Sequence, residues 1–387
     1  MPVNTPFFKM FIFLATLIIS VLAQACYAER FHSDLHDYDV TIVADGLEHP
    51  WGLAFLPDGN ILVTEKPGRL RLIKNGRLGE QPVVELPDTV NIGQGGLMGI
   101  ALHPQFKENN WIYLSYNAKG EDGHGTEVIR GQFINDKLIN IETIFRALPK
   151  SDSRRHFGSR LVFARDGTLF ISLGERGEDP SKGYQHAAQD LSNHLGSLIH
   201  INDDGTVPSD NPFVSNKNAK PELYTLGNRN MQGMTLHPET GEAWTHEHGP
   251  QGGDEINIMR PGINYGWPII TYGVNYFVGT KIGEGTHKQG LEQPIYKWVP
   301  SIAPSGMTFY TGKEFPNWTG NLFVGSLKFG MLVRLEVSGN KITSEERLLN
   351  FQYGRIRDVV QGTDGFVYLL TDDSNGKLLK MTPVIQD

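Results

Sequence analysis

The stretch RLVFARDGTLFISLGE, residues 160–175, reads as two short β-strands joined by a tight turn. Leu-Val-Phe on one side and Leu-Phe-Ile-Ser on the other come from the β-forming set. Asp166-Gly167 sits where the chain must reverse, and glycine accepts positive φ there without a Cβ clash. The pattern returns as WGLAFLPDGNILVTE (51–65), GLMGIALHPQFKENNWIYLSY (96–116, with a longer turn), GMTLHPETGEAWTHE (233–247), GMTFYTGKEFPNWTGNLFVGS (306–326) and VVQGTDGFVYLLTD (359–372). These are six copies. Their spacing of roughly fifty to seventy residues leaves room for two more strands in each. One four-stranded unit cannot bury both of its faces, whereas a ring of them can. The sequence therefore predicts an all-β fold, a six-bladed β-propeller of four-stranded antiparallel blades; a pair of β-sandwiches is the alternative. No Ser/Gly-rich linker or shift in composition marks a boundary, so residues 29–387 read as one domain. Little helix is expected beyond one short turn within 181–197.

The chain has 387 residues, with 35 Lys plus Arg against 43 Asp plus Glu, a net charge of −8. A mildly acidic chain with no basic block is a poor nucleic-acid binder. Gly at 44 and Pro at 22 suit many turns and short strands. At the N-terminus, Lys9 precedes the apolar run MFIFLATLIISVLA (10–23) and the small-residue stretch QACYA. This is the pattern of a secretory signal over 1–28, cleaved after Ala28. The run is shorter than a spanning helix usually requires. An uncleaved anchor is one alternative. Lipid attachment at Cys26 is another, although Ala23 stands where lipoprotein signals usually carry Leu. Cys26 is the only cysteine. The exported chain, periplasmic or secreted, thus has no disulfide, thiolate nucleophile or thiolate metal site.

A second stretch gathers chemistry. TLGNRNMQGMTLHPETGEAWTHEHGPQGGDEINIM (225–259) holds His, Glu, Asp, Arg and a Gly-Pro pair within a few turns of chain. In a propeller the loops at one end of the channel converge, so this stretch can meet groups from distant repeats. His246 and His248 share a face at a spacing of two, but no third ligand has zinc spacing.

GQGGLMG, RHFGSRLVF, LGNRNMQG, EHGPQGGDEIN, NYGWP and RIRDV occur in this order. Together they resemble the soluble, pyrroloquinoline-quinone (PQQ)-dependent sugar dehydrogenases, and most of all their periplasmic aldose sugar dehydrogenase branch. The resemblance runs from about Asp45 to the C-terminus. It implies a six-bladed propeller with PQQ in a central cleft and with calcium. By this resemblance His156 is the general base; the alternative is a surface histidine beside Arg154 and Arg155. Arg155 stands where the family often has an acid. Glu175 resembles an acidic partner of the imidazole, or else caps a strand end. Arg229 matches the group near the reactive quinone oxygens, with Asn230 and Gln94 as neighbouring donors. Lys328, Arg355 and Arg357 match the cations that bind the cofactor's carboxylates. Alternate residues on a strand share a face, which suits one anion, although a solvated charged strand would look the same. Tyr276 matches an aromatic position by the cofactor, or packs elsewhere.

Gly249 and Pro250 match the carbonyl ligands of a calcium that also holds the quinone, and calcium accepts backbone oxygens. Glu255 and the Tyr265 carbonyl match a second calcium site. His248 stands where relatives often carry Gln. The implied activity is oxidation of aldose sugars at the anomeric carbon to lactones, with electrons passed to an external acceptor. A calcium-dependent lactonase and a non-enzymatic binding propeller are the competing functions.

Overall fold

Each Asp-Gly turn closes in the same way. The Asp58, Asp166 and Asp364 side chains accept the backbone N–H two residues on, at 3.0, 3.0 and 3.3 Å. Gly59, Gly167 and Gly365 take φ of 83°, 90° and 83°, while the aspartates do not enter positive φ. The turns are thus three-residue loops ending in a glycine bulge rather than two-residue hairpins. The computed structural model describes residues 28–384 apart from Pro87. The apolar run 10–23 and Cys26 lie outside the described residues. Among the described residues no helix is long and apolar enough to cross a membrane.

The six repeats become the first two strands of six antiparallel sheets. The first strands are Pro50–Phe55, Leu97–Leu102, Leu161–Phe163, Met231–Leu236, Pro304–Phe309 and Ile356–Gln361. They lie side by side around the channel, and Ile356–Gln361 closes the ring against Pro50–Phe55. Three blades keep a simple four-strand order. In the first, Arg77–Leu78 and Val84–Glu85 both pair with Arg69–Lys74. The third has three strands, its fourth reduced to a single bridge between Ile199 and Leu223. In the last, Tyr38–Leu47 pairs with Gly376–Pro383, so chain start and chain end complete one sheet. The helical turn expected within 181–197 is present as two short 3₁₀ segments, Pro180–Gln185 and Ala187–Gln189.

Six hydrophobic cores fill the six gaps between neighbouring blades. Successive strand residues point to opposite faces, so one strand feeds two cores. Ile61 and Val63 enter the core shared with the last blade, and Leu62 enters the core shared with the second. Likewise Val367 and Leu369 face the fifth blade while Tyr368 and Leu370 face the first. This two-sided burial explains why second strands such as ILVTE and VYLLT read as nearly continuous apolar runs. Each fully buried large side chain contributes about 1.5–3 kcal/mol of transfer free energy.

Candidate active site

In an antiparallel blade, the start of the first strand and the end of the second meet at the same end of the ring. The candidate residues fall at those two places. Gln94, His156, Arg229 with Asn230, and Arg355 precede first strands, while Glu175, Gly249, Pro250 and Lys328 follow second strands. Arg357 lies just inside the last blade's first strand. One mouth therefore collects side chains from separate blades.

His156 sits at φ +51°, a strained position for a residue with a side chain. Its loop is held closely. A Cβ on Gly174 would meet the His156 carbonyl at 2.3 Å, so only glycine allows this approach. Arg176 donates to the Arg155 carbonyl at 2.7 Å and stacks 3.6 Å over the Phe157 ring. The His156 backbone N–H donates to Gln94 Oε1 at 2.8 Å. The ring itself is buried, and its Nδ1 hydrogen-bonds a Glu175 carboxylate oxygen. Glu175 Oε2 accepts the Glu178 N–H at 2.7 Å, with the His186 ring 3.6 Å away.

Electrostatics assign the protons. Burial and the Arg229 charge lower His156 to about 4, against the opposing hydrogen bond and charge of Glu175. Burial alone would raise Glu175, but His156, Arg229 and His186 bring it net below its ordinary value. A neutral imidazole beside a carboxylate must carry its proton on Nδ1. Nε2 then holds the lone pair. It has no hydrogen-bond partner among the described residues, yet it is not one of the buried orphaned atoms. It is an open acceptor.

Arg229 donates to the His248 and Gly249 carbonyls at 2.8 and 2.9 Å and lies 5.1 Å from the Trp267 ring. Asn230 Oδ1 accepts from Gly158 N–H and Gln232 at 3.3 and 3.2 Å. Arg355 and Arg357 both converge on Asp372 Oδ2, at 3.1 and 3.2 Å. His49 takes the other Asp372 oxygen at 3.0 Å. These charges hold the Asp372 carboxyl far below its usual range against the effect of burial.

Three adjoining hollows open here. One of about 270 Å³ is lined by Trp51, Lys66, Gln94, Asn230, Arg355 and Arg357. It shares Ala303, Leu327 and Arg355 with a second of about 550 Å³, which includes Lys328 and Tyr276. The third, about 280 Å³, meets the second at Pro250 and Tyr276 and reaches Glu175 and Arg229. Tyr276 is half exposed, at 50%. A further hollow of about 480 Å³ lies at the other end of the ring, by Arg165 and Glu242. Its imidazole, His200, has both nitrogens committed to Asn211 and Thr168.

The donor sets fit the groups implied by the sequence. The mouth carries cations in excess of acids, as a polycarboxylate requires, and Arg229 Nε and Arg357 Nε are buried without partners. Pro250 is buried, and its carbonyl accepts no hydrogen bond among the described residues. Gly249 is fixed by its N–H to Asp254 at 2.9 Å, and its carbonyl, which accepts from Arg229 at 2.9 Å, keeps a second lone pair for an ion. Glu255 stands directly opposite Glu247 on paired strands. Burial, then Glu247, raises the Glu255 carboxyl well above its usual value, and burial lifts Glu247 to about 7. Neither forms an ion pair among the described residues, and the Asn257 amide on the same strand is buried with both atoms unpartnered. Glu247 Oε2 accepts the Arg229 N–H at 2.5 Å, but two facing acids with no ion-pair partner still suit a hard cation. Tyr265 is buried with its hydroxyl donating to the Ile258 carbonyl at 2.6 Å, which leaves its own carbonyl as the available oxygen. Among the described residues no three His, Cys, Asp or Glu side chains converge as a ready metal site. His248 Nε2 bonds the Pro304 carbonyl at 2.6 Å, and the His246 ring is enclosed with both nitrogens unpartnered.

Sequence reasoning missed Lys66, Asp372, Gln232, Glu247 and His186. Lys66 and Asp372 follow second strands, the same topological place as Glu175, and that regularity could have found them.

A closed ring of six blades with a buried imidazole–carboxylate pair and a cationic hollow at one mouth is the frame of a propeller enzyme acting on a small ligand. The chain belongs to the Glucose / Sorbosone dehydrogenase family, whose model matches residues 47–380. It is 44% identical over 351 residues to aldose sugar dehydrogenase YliI of Escherichia coli strain K12, covering 89% of this chain and 93% of that one. The crystal structure of the soluble aldose sugar dehydrogenase from Escherichia coli in the apo form superposes with a TM-score of 0.85 at 43% identity, covering 90% of this chain and 100% of the other. The PQQ-bound form of aldose sugar dehydrogenase from Streptomyces coelicolor gives a TM-score of 0.72 at 25% identity, covering 89% and 98%.

Proposed function

We propose that the protein oxidises aldose sugars at the anomeric carbon to lactones, using PQQ and calcium, and passes the electrons to an external acceptor. The observation that carries this reading is an imidazole with Nε2 unpartnered among the described residues, held by Gln94, which lines the cation-rich hollow, and by Glu175, which lines an adjoining one at the same mouth. PQQ, when bound, would supply the two-electron acceptor for the hydride, and calcium would supply Lewis acidity.

The chain's own residues do the rest. His156 Nε2 accepts the proton of the anomeric hydroxyl as the C–H bond is broken, leaving the lactone carbonyl. Glu175 holds the Nδ1 proton, so the ring keeps the correct tautomer and the imidazolium that forms is stabilised. Arg229 brings positive charge to the place where negative charge develops on the acceptor. Gln94 fixes the His156 backbone, and Asn230 offers a further polar contact. Arg355, Arg357 and Lys328 would hold the tricarboxylate, and Tyr276 would pack against it. Gly249 and Pro250 would hold the catalytic calcium through their carbonyls, and Glu255 with the Tyr265 carbonyl a structural one. Residues 1–28 would be removed on export, leaving 29–387 as a single catalytic propeller in the periplasm or outside the cell. The similarity to an aldose sugar dehydrogenase and to a PQQ-bound aldose sugar dehydrogenase supports this reading.

Mature protein supplied with calcium and PQQ should reduce a dye at the expense of glucose or another aldose. Activity that needs both additions is the expected result. Lactone or ester cleavage without quinone would instead assign a hydrolase, and neither activity would leave a binding propeller.

A further inference from the structure

The hollow of about 270 Å³ contains three cationic side chains, Lys66, Arg355 and Arg357, and one carboxylate, Asp372. Both oxygens of that carboxylate are already engaged, one by His49 and the other by the two arginines. Lys66 is left out. Its ammonium makes no ion pair among the described residues and donates only to the Gly93 carbonyl, at 3.0 Å. Three cations against one carboxylate leave two positive charges in excess within a partly buried space. Burial lowers the Lys66 pKa, Arg357 and Arg355 add to that, and Asp372 alone opposes it. An uncompensated ammonium beside two guanidiniums is costly unless an anion enters.

We propose that Lys66 is a further cation of the cofactor cradle, pairing with a carboxylate of the bound tricarboxylate while it tethers the Gly93 carbonyl. The inference rests on the reading of the mouth as a PQQ site. The tether gives it a second consequence. Gly93 begins the turn whose next residue, Gln94, holds the His156 N–H at 2.8 Å and bonds the Arg154 carbonyl through its own N–H at 2.9 Å. Lys66 therefore joins the anion-binding wall to the segment that carries the imidazole.

The test is binding rather than turnover. Apoprotein is titrated with PQQ in the presence of calcium, following tryptophan fluorescence, since Trp51 lines the same hollow. Lys66→Gln can still donate to Gly93 but is uncharged, and it should bind roughly 10- to 100-fold more weakly than wild type. Lys66→Arg keeps the charge and should stay within about threefold of wild type. Wild-type affinity in Lys66→Gln would overturn the inference. If wild type itself did not bind, the cofactor assignment would fail instead. Amine labelling of wild type gives a readout that no misfolded variant can confuse. PQQ should slow modification of Lys66 by about fivefold or more and leave the exposed Lys313 unchanged, and equal labelling of Lys66 with and without PQQ would likewise overturn the inference.

Discussion

His156 Nδ1 is hydrogen-bonded to the Glu175 carboxylate, although the two residues leave the third blade on different segments. One stands before its first strand, the other after its second, and the antiparallel turn returns them to the same end. The pairing is built by topology. It leaves Nε2 as the only basic edge of the ring, and the chemistry proposed above needs that edge.

Glu175→Gln removes the ionised partner but keeps the shape. Without the carboxylate the imidazole loses its fixed tautomer and its stabilised cation. Turnover of the loaded enzyme should fall by about 10²-fold or more, with cofactor binding retained. Steady-state kinetics at saturating cofactor check this, and unchanged turnover would return Glu175 to a strand-end role.

The pH dependence follows from the depressed His156 value of about 4. The base form is populated at all pH above that value, so the acid limb of kcat/KM should lie below the unperturbed histidine value of about 6.5. Stability has the same sign. Between those limits the unfolded imidazole binds a proton that the folded one refuses. The contribution of His156 is therefore fully present above about 6.5 and is lost as pH falls toward about 4. Melting curves of the apoprotein across this window check it. A melting temperature independent of pH in the pair wild type and His156→Ala would contradict the buried, neutral ring.

Arg355→Ala combined with Arg357→Ala strips the two partners from Asp372. That leaves an acid facing an incoming polycarboxylate. PQQ affinity should fall by about 10²-fold or more, the effect shrinking in high salt as screening grows. Equilibrium dialysis measures it. Unchanged affinity would make these arginines a charged strand and nothing more.

The fold makes its own expectation. Leu62 is fully buried between the first and second blades, whereas Ile139 is 40% exposed on an outer strand. Leu62→Ala should destabilise by about 2–5 kcal/mol, and Ile139→Ala should stay within about 0.5 kcal/mol. Denaturant unfolding distinguishes them, and equal effects would contradict two-sided burial of the second strands.

The fold was legible because the repeat carries its own punctuation. Asp58-Gly59, Asp166-Gly167 and Asp364-Gly365 mark turns that the structure closes with side-chain caps, and the six copies are the six strand pairs around the channel. What local pattern did not carry was strand count. The third blade's fourth strand shrinks to one bridge, and the last blade recruits Tyr38–Leu47 from the far end of the chain. The site was legible only through motifs. Nothing in RRHFGS reports that the imidazole turns inward at positive φ, because Gly174 and Arg176, residues of another strand end, enforce it. Asp372 and Lys66 carry no motif of their own. They become visible once the chain is wound into a ring and the ends of second strands share one mouth.

The most direct measurement is a single turnover. Wild type and His156→Ala are each loaded with PQQ and calcium, mixed with an excess of aldose, and the reduction of the bound quinone is followed optically. Equal loading is expected, with reduction slower by about 10²-fold or more in His156→Ala. Equal loading with equal rates would show that His156 takes no proton, and the proposed chemistry of this mouth would be wrong.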